Sequence, residues 1–328
     1  MDLICTDELF IDQFILEDAD YEVSSGDENL MTITRNLSDK KLAPRSLVYV
    51  DRSDAGGIID GVTIDTSKSS GQVIYSGRSW SGILAGKVIC PDTGADHLTV
   101  SGDADTVIAS IIKRIGLTGL FTATGSVSGI TVNNYQFARY CTAWDGLSAM
   151  TASVGAKLCM GYDSAIKKVV LYAKKAQEVP FDSDTQPDIE ISQSFTKTNH
   201  LICLGKGEGA ARIRCDWFAD SKGNVSEKQT IFGAYEIAQT YEETASEYDK
   251  LKESGKKKLV ALQSTEAAKV EVNNSGEYDV GDTITAFEAN YGIEVKASIT
   301  QKRLTEKEST SVWSYEAGVI TQTGASSL

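Results

Sequence analysis

Proline and histidine are scarce in these 328 residues, with four of the first and two of the second. The histidines, His97 and His200, stand about a hundred residues apart, and no H-E-x-x-H, paired-histidine or cysteine–histidine cluster occurs. That excludes the usual sequence signatures of a zinc site. No G-x-S-x-G elbow marks a serine nucleophile, so a Ser-His-Asp or Cys-His set would have to assemble in space without a local motif. No run approaches the roughly 18 apolar residues of a membrane span, and no basic stretch followed by an apolar one opens the chain. We expect a soluble protein that is not conventionally secreted. Basic surplus is missing too. Thirty-two Lys and Arg face 46 Asp and Glu, for a formal charge of −14, which argues against nucleic-acid binding by counterion release.

Six cysteines are present, Cys5, Cys90, Cys141, Cys159, Cys203 and Cys215, with no C-x-x-C pair. Several sit inside apolar strand-like runs, where a free thiol behaves as a small core residue. A disulfide framework would be denser and set in a shorter chain. They read as reduced, buried thiols of a protein made in a cytoplasm. The sequons at Asn36, Asn224 and Asn273 are then chance matches in turns.

With 41% apolar residues the chain can bury a real core, and its length suggests two or three domains. Residues 1–90 alternate in short apolar runs (14–16, 21–23, 30–33, 47–50, 58–66 and 71–76) separated by Ser/Gly/Asp turns. That pattern predicts an N-terminal β-barrel-like domain. From 91 to about 187 the period changes. Val107, Ile108, Ile111, Ile112 and Ile115 fall at helical spacing, and so do Trp144, Leu147, Met150 and Val154, each set closed by a glycine. Strands are predicted at 132–137, 157–162 and 166–172. This is an α/β domain ending in an acidic linker at 177–190, which holds two prolines and five acids. Residues 188–328 predict a second β-barrel-like domain, with a charged helical insertion at about 234–263 broken at Ser254-Gly255. Its strands are expected at 201–204, 212–218, 268–272, 283–288, 293–300 and 310–315. The fold class is α+β and β-rich.

The motifs that might carry chemistry have plainer readings. Gly205-Lys206-Gly207-Glu208-Gly209 could cradle a phosphate, but a strand and not a helix follows it, so a β-turn or bulge is the better reading. Asp182, Asp184, Asp188 and Glu190 could form a metal loop or a carboxylate pair. Their proline-punctuated setting lacks the calcium-loop pattern and reads as solvated linker. Lys256, Lys257 and Lys258 read as an exposed helix face. Trp80, Trp144, Trp217 and Trp313 are scattered over different segments, as core or interface aromatics are. No catalytic, cofactor-binding or metal-ligating residue is assigned.

One stretch is more distinctive. Residues 199–209 read N-H-L-I-C-L-G-K-G-E-G, followed by an aromatic-aspartate-glycine hairpin and by Q-T-x-x-G at 229–233. With residues 75–84 (YSGRSWSGIL) and the helix, strand, turn and strand after Trp144, this wording resembles the siphovirus ReqiPepy-type tail protein family. Tyr278-Asp279-Val280-Gly281-Asp282 likewise resembles the Y-D-x-G-D turn of many phage hub barrels. The resemblance covers most of the chain and is strongest from about 144 to 241. It implies the hub of a phage or prophage tail tip or baseplate, built from two small barrels with α/β material between. Such hubs are homotrimers whose six barrels form a ring around the DNA channel. The implied partners are distal tail, tail-tube and tape-measure proteins, with tip or receptor-binding proteins beyond. No cofactor, no enzymatic activity and no specific nucleic-acid binding are implied, and the expected location is the virion tail. Two other readings stay open, a tail-associated cell-wall hydrolase and a receptor- or carbohydrate-binding tail module. The acid surplus itself has two readings, a DNA-repelling channel face or acids spread evenly for solubility.

Overall fold

The computed structural model describes residues 2–16, 19–67, 71–180, 197–264, 270–274, 278–288, 293–308 and 310–323. Strand outweighs helix, 44% to 18%, in line with the expected β-rich α+β class. The first seven strands are β1 (Leu3–Thr6), β2 (Asp12–Leu16), β3 (Asp20–Gly26), β4 (Leu30–Asn36), β5 (Leu47–Tyr49), β6 (Gly56–Asp65) and β7 (Gln72–Ser79). After them come α1 (Trp80–Ala85), β8 (Thr99–Asp103), α2 (Ala104–Arg114), β9 (Phe121–Ala123), β10 (Thr131–Gln136) and α3 (Ala143–Ala152). Then follow β11 (Ala156–Asp163), β12 (Lys168–Lys175) and β13 (Glu178–Pro180). The helices start where their caps require. Asp103 accepts from the Asp105 amide ahead of α2, and Thr142 and Asp145 exchange hydrogen bonds ahead of α3. Next are β14 (His200–Leu204), β15 (Arg214–Ala219), β16 (Val225–Ser226), β17 (Ala238–Glu242) and α4 (Tyr248–Ser264). The chain closes with β18 (Val270–Asn274), β19 (Thr283–Glu288), β20 (Ile293–Lys307) and β21 (Thr310–Thr323).

Contacts divide the chain at other points than residues 90 and 188. One compact unit takes residues 1–190 together with 269–328, and the second takes 191–268. The reason lies in strand pairing. β3 pairs with β4 on one side and with β20 on the other, Leu304 opposite Val23 and Gln301 opposite Gly26. The C-terminal strands therefore extend the N-terminal sheet, in the order β13-β19-β20-β3-β4-β7-β6-β5-β1-β2 with β21 and β18 branching from β20. Among the described residues this is an open path, and no closed barrel is traced. The α/β segment shares its core with the first strands. Trp80 stacks on Tyr162, with ring centroids 5.6 Å apart, and Tyr162 meets Tyr49 at 4.0 Å, inside one cluster that also holds Ile108, Phe121, Leu147 and Leu171. Burial on this scale is the main drive holding these segments as one body.

The second unit is a four-stranded sheet, β16-β15-β14-β17, with α4 on one face. Leu201, Cys203, Cys215 and Trp217 pack against Leu251 and Leu259. The helical reading of 234–263 needs correction at both points. Residues 238–242 form a strand parallel to β14, because that pairing satisfies their backbone within the sheet. The helix then runs unbroken through Ser254 and Gly255. Gly255 is there for contact: a Cβ would press into the Cys203 sulfur and lie 3.2 Å from Trp217 Cδ1. Gly255→Ala gains about 1 kcal/mol of helix propensity but overpacks the contact by about 1–3 kcal/mol. We expect it to destabilise this unit in the wild-type background and to stabilise it once Cys203 is alanine. Hydrogen exchange of the β14 and β15 amides reads both signs, and the same sign in both backgrounds would refute the contact argument.

Candidate functional site

The Tyr278–Asp282 turn lies at the centre of a buried charged cluster in the first unit. Lys157, on β11, reaches Asp279 Oδ2 at 2.7 Å and Asp282 Oδ2 at 2.6 Å. Its side chain is 1% exposed and that of Asp282 fully buried. Lys302, on β20, reaches Asp279 Oδ1 at 2.9 Å and Asp54 Oδ2 at 2.8 Å, and its ammonium sits 4.3 Å above the Trp313 ring. Asp282 is fixed further by the Gln177 amide, 2.8 Å from Oδ1, and by the Asp279 amide, 2.9 Å from Oδ2. Two lysines and three aspartates thus tie β11, the β5–β6 loop, the turn before β19 and β20 together.

Burial alone would strip these groups of charge, and their pairing prevents it. Desolvation pulls the Lys157 ammonium down, but Asp279 and Asp282 together raise its pKa above the ordinary lysine value. Lys302 is raised in the same way by Asp54 and Asp279. Burial pushes the Asp279 carboxyl up, and Lys302 and Lys157 outweigh that and hold it low. The neighbouring Cys159 thiol is pushed up to about 12, first by burial and then by Asp279, so near neutral pH it is a thiol and a poor nucleophile. Beside the cluster opens a cavity of about 310 Å³, lined by Ser25, Arg52, Trp144, Tyr172 and Trp313 among others. Charges held this way suit joining parts of the chain and do not suit proton transfer, which needs a group poised near the working pH.

The residues singled out in the sequence do not converge. Trp144 and Trp313, far apart in the chain, line the same cavity and are buried. Trp80 lies in the core, and Trp217 donates to the Lys252 carbonyl under α4. Gly205–Gly209 forms the connection from β14 to β15 through a 3₁₀ turn, Gly209–Ala211, with Lys206 Nζ 2.6 Å from Glu247. His97 faces the Phe137 carbonyl. His200 is held between Glu236, 2.6 Å from Nδ1, and Asp216, 2.8 Å from Nε2, and stacks on Phe218. Cys5, Cys159, Cys203 and Cys215 are buried as expected, whereas Cys90 is exposed and Cys141 half-buried. Asp182, Asp184, Asp188 and Glu190 lie outside the described residues. Among the described residues no group of three or more His, Cys, Asp or Glu side chains is placed to hold a metal ion, and no helix is long and apolar enough to cross a membrane. Sequence reading missed Lys157 and Lys302. Each is a lysine inside a strand with a buried residue next to it, and the only local hint was the acid-rich turn they bind.

The chain matches no protein-family model and no curated protein. Among solved structures it is similar to the tail protein from Neisseria meningitidis MC58, with a TM-score of 0.50 and 14% identity over 97% of each chain. It is equally similar, at TM-score 0.50 and 12% identity, to the 43 kDa tail protein of prophage MuSo2 from Shewanella oneidensis, over 97% of this chain and 98% of that one. At such identity the likeness is one of fold, and it runs nearly end to end in both cases.

Proposed function

We propose that this protein is a structural hub of a phage or prophage tail tip, assembled as a homotrimeric ring. The carrying observation is the whole-length fold likeness to two tail proteins, joined to the hub-like wording of residues 199–233 and 278–282. In this reading the ring joins distal tail and tail-tube proteins to tip or receptor-binding proteins, next to the tape-measure protein, and surrounds the DNA path. Charge fits the role. Residues 191–268 hold 11 basic and 11 acidic side chains, so the whole surplus of 14 acids belongs to the first unit. A channel lined by that unit would repel phosphate and let DNA slide. In this reading the role is mechanical and not enzymatic, and the paired charges of the buried cluster fit it.

Antibody labelling of intact particles tests this. Label confined to the distal end of the tail is expected, and label along the shaft or absent from particles would refute the reading. Duplex DNA should not be retained by the purified protein even at low salt. Digestion of purified peptidoglycan, abolished by a single Asp, Glu, Ser or Cys substitution, would favour the hydrolase instead.

A further inference from the structure

Among the described residues, the sheet of the first unit leaves two strand edges open on its β2 side. β6 is ten residues long, but β5 pairs with it only as far as Ile58, and the Ser46 and Arg45 backbone carries the pairing one residue further to Ile59. From Asp60 to Ile64 its outer edge has no strand partner among the described residues. On the sheet face shared with buried Val73 and Tyr75, Val62 and Ile64 remain 55% and 61% exposed. A free edge with β-branched apolar side chains is a template for another strand. Soluble proteins usually blunt such edges; here the bulge between Ile59 and Gly61 and the charge of Asp60 blunt only its start, and Gly61–Ile64 carries neither charge nor proline.

The flank is basic. Arg45 sits where the pairing stops, and Lys41 precedes Leu42, whose amide bonds the hydroxyl of Tyr75, the residue opposite Val62. Both are exposed, and among the described residues neither lies within salt-bridge distance of a carboxylate. This patch stands on a unit with 35 acidic and 21 basic residues. The other open edge has the opposite character. β2 ends the sheet, presents Ile15 half exposed, and carries the exposed acids Asp12 at its start and Glu8 in the turn before it.

We propose that the outer half of β6 receives, by strand addition, the β2 edge of a second copy of this protein. The two edges supply main-chain hydrogen bonds. Ile15 extends the uncovered apolar face at Val62 and Ile64, and Lys41 and Arg45 face the acids of the β1–β2 turn and β2. Pairing of two different edges is heterologous, so it continues from copy to copy until a ring closes. The inference rests on the ring reading above for its purpose and adds the surface that makes the contact.

Mixed cross-linking tests it, in a background with Cys90 and Cys141 replaced by serine. One pool carries Ile15→Cys and the other Ile64→Cys, and a short bis-maleimide joins accessible thiols. A cross-linked species is expected when the pools are mixed and not from either alone. Arg45→Glu with Lys41→Glu in the Ile64→Cys pool should cut its yield at least tenfold, and Glu8→Lys in the other pool should restore it. Unchanged melting temperatures check that each variant folds. No mixed product at the highest soluble concentration, or equal product from the Ile64→Cys pool alone, would overturn the proposal. Tail labelling and cross-linking fail separately. A labelled tail without the cross-link leaves the hub standing, and the cross-link in a protein absent from tails leaves the edge pairing standing.

Discussion

Lys157→Met should destabilise the first unit by about 3–5 kcal/mol, because it removes the charge and keeps most of the volume, leaving Asp282 buried without its counter-ion. For a unit of this size about 2–4 °C is lost per kcal/mol, so the melting temperature should fall by on the order of 10 °C. Asp282→Asn in the same chain should recover part of the loss, giving a coupling energy of at least about 1 kcal/mol in the double-mutant cycle. Additive losses, or a single-variant cost under about 1 kcal/mol, would mean that the cluster is far more hydrated than its burial indicates. The pH dependence has two limbs. Asp279 is held below its ordinary value, so its contribution is full above about pH 4 and is lost as pH falls through the lower folded value. Lys157 and Lys302 are raised, so theirs is full below about pH 10 and is lost as pH rises through the folded values. Lys157→Met should shrink the alkaline limb and leave the Lys302 part of it. Urea titrations at a series of pH values measure both limbs.

Local pattern made much of this fold legible. The helical spacing of Val107 to Ile115 and of Trp144 to Val154 became α2 and α3, and the alternation at 157–172 became the β11–β12 hairpin. These elements bury a face set by their own sequence, and periodicity records that directly. What sequence could not reveal depends on partners far along the chain. β17 looked helical because its parallel neighbour β14 lies more than thirty residues earlier. β20 and β21 run well past their expected ends because they stay paired with each other along their length while the other edge of β20 passes from β19 to β3. The same pairing sends the C-terminal strands back to the first unit. The charged cluster was illegible for the same reason. Lys157, Asp279 and Lys302 carry no shared motif, and they meet only after β20 has joined β3.

The point where β20 changes partners gives the second large effect, at Gly26. This residue ends β3 opposite Gln301, next to the irregularity between Ile299 and Gln301 that lets β20 leave β19 and take up β3. Its φ is +133°, a backbone region open in practice only to glycine. A Cβ would be driven into the Thr300 carbonyl oxygen and to 2.8 Å from Gln301 Cα, both of them backbone atoms that cannot rotate away. The Gly26 carbonyl also accepts the Trp144 indole N–H at 3.2 Å, so any shift reaches α3. Backbone strain of about 1–3 kcal/mol and overpacking of about 1–3 kcal/mol act together. Gly26→Ala should therefore destabilise the first unit by roughly 2–5 kcal/mol, with lost exchange protection concentrated along residues 301–306 and 20–26. Residues 191–268 should keep the protection of β14 and β15, because their core is their own. Gly82→Ala is a useful contrast, since its Cβ would also meet a backbone oxygen, that of Asn29, but without a left-handed φ. If Gly26→Ala proved as mild as an ordinary surface change, or loosened both units together, the junction between β3 and β20 would not be what holds the two ends of the chain in one sheet.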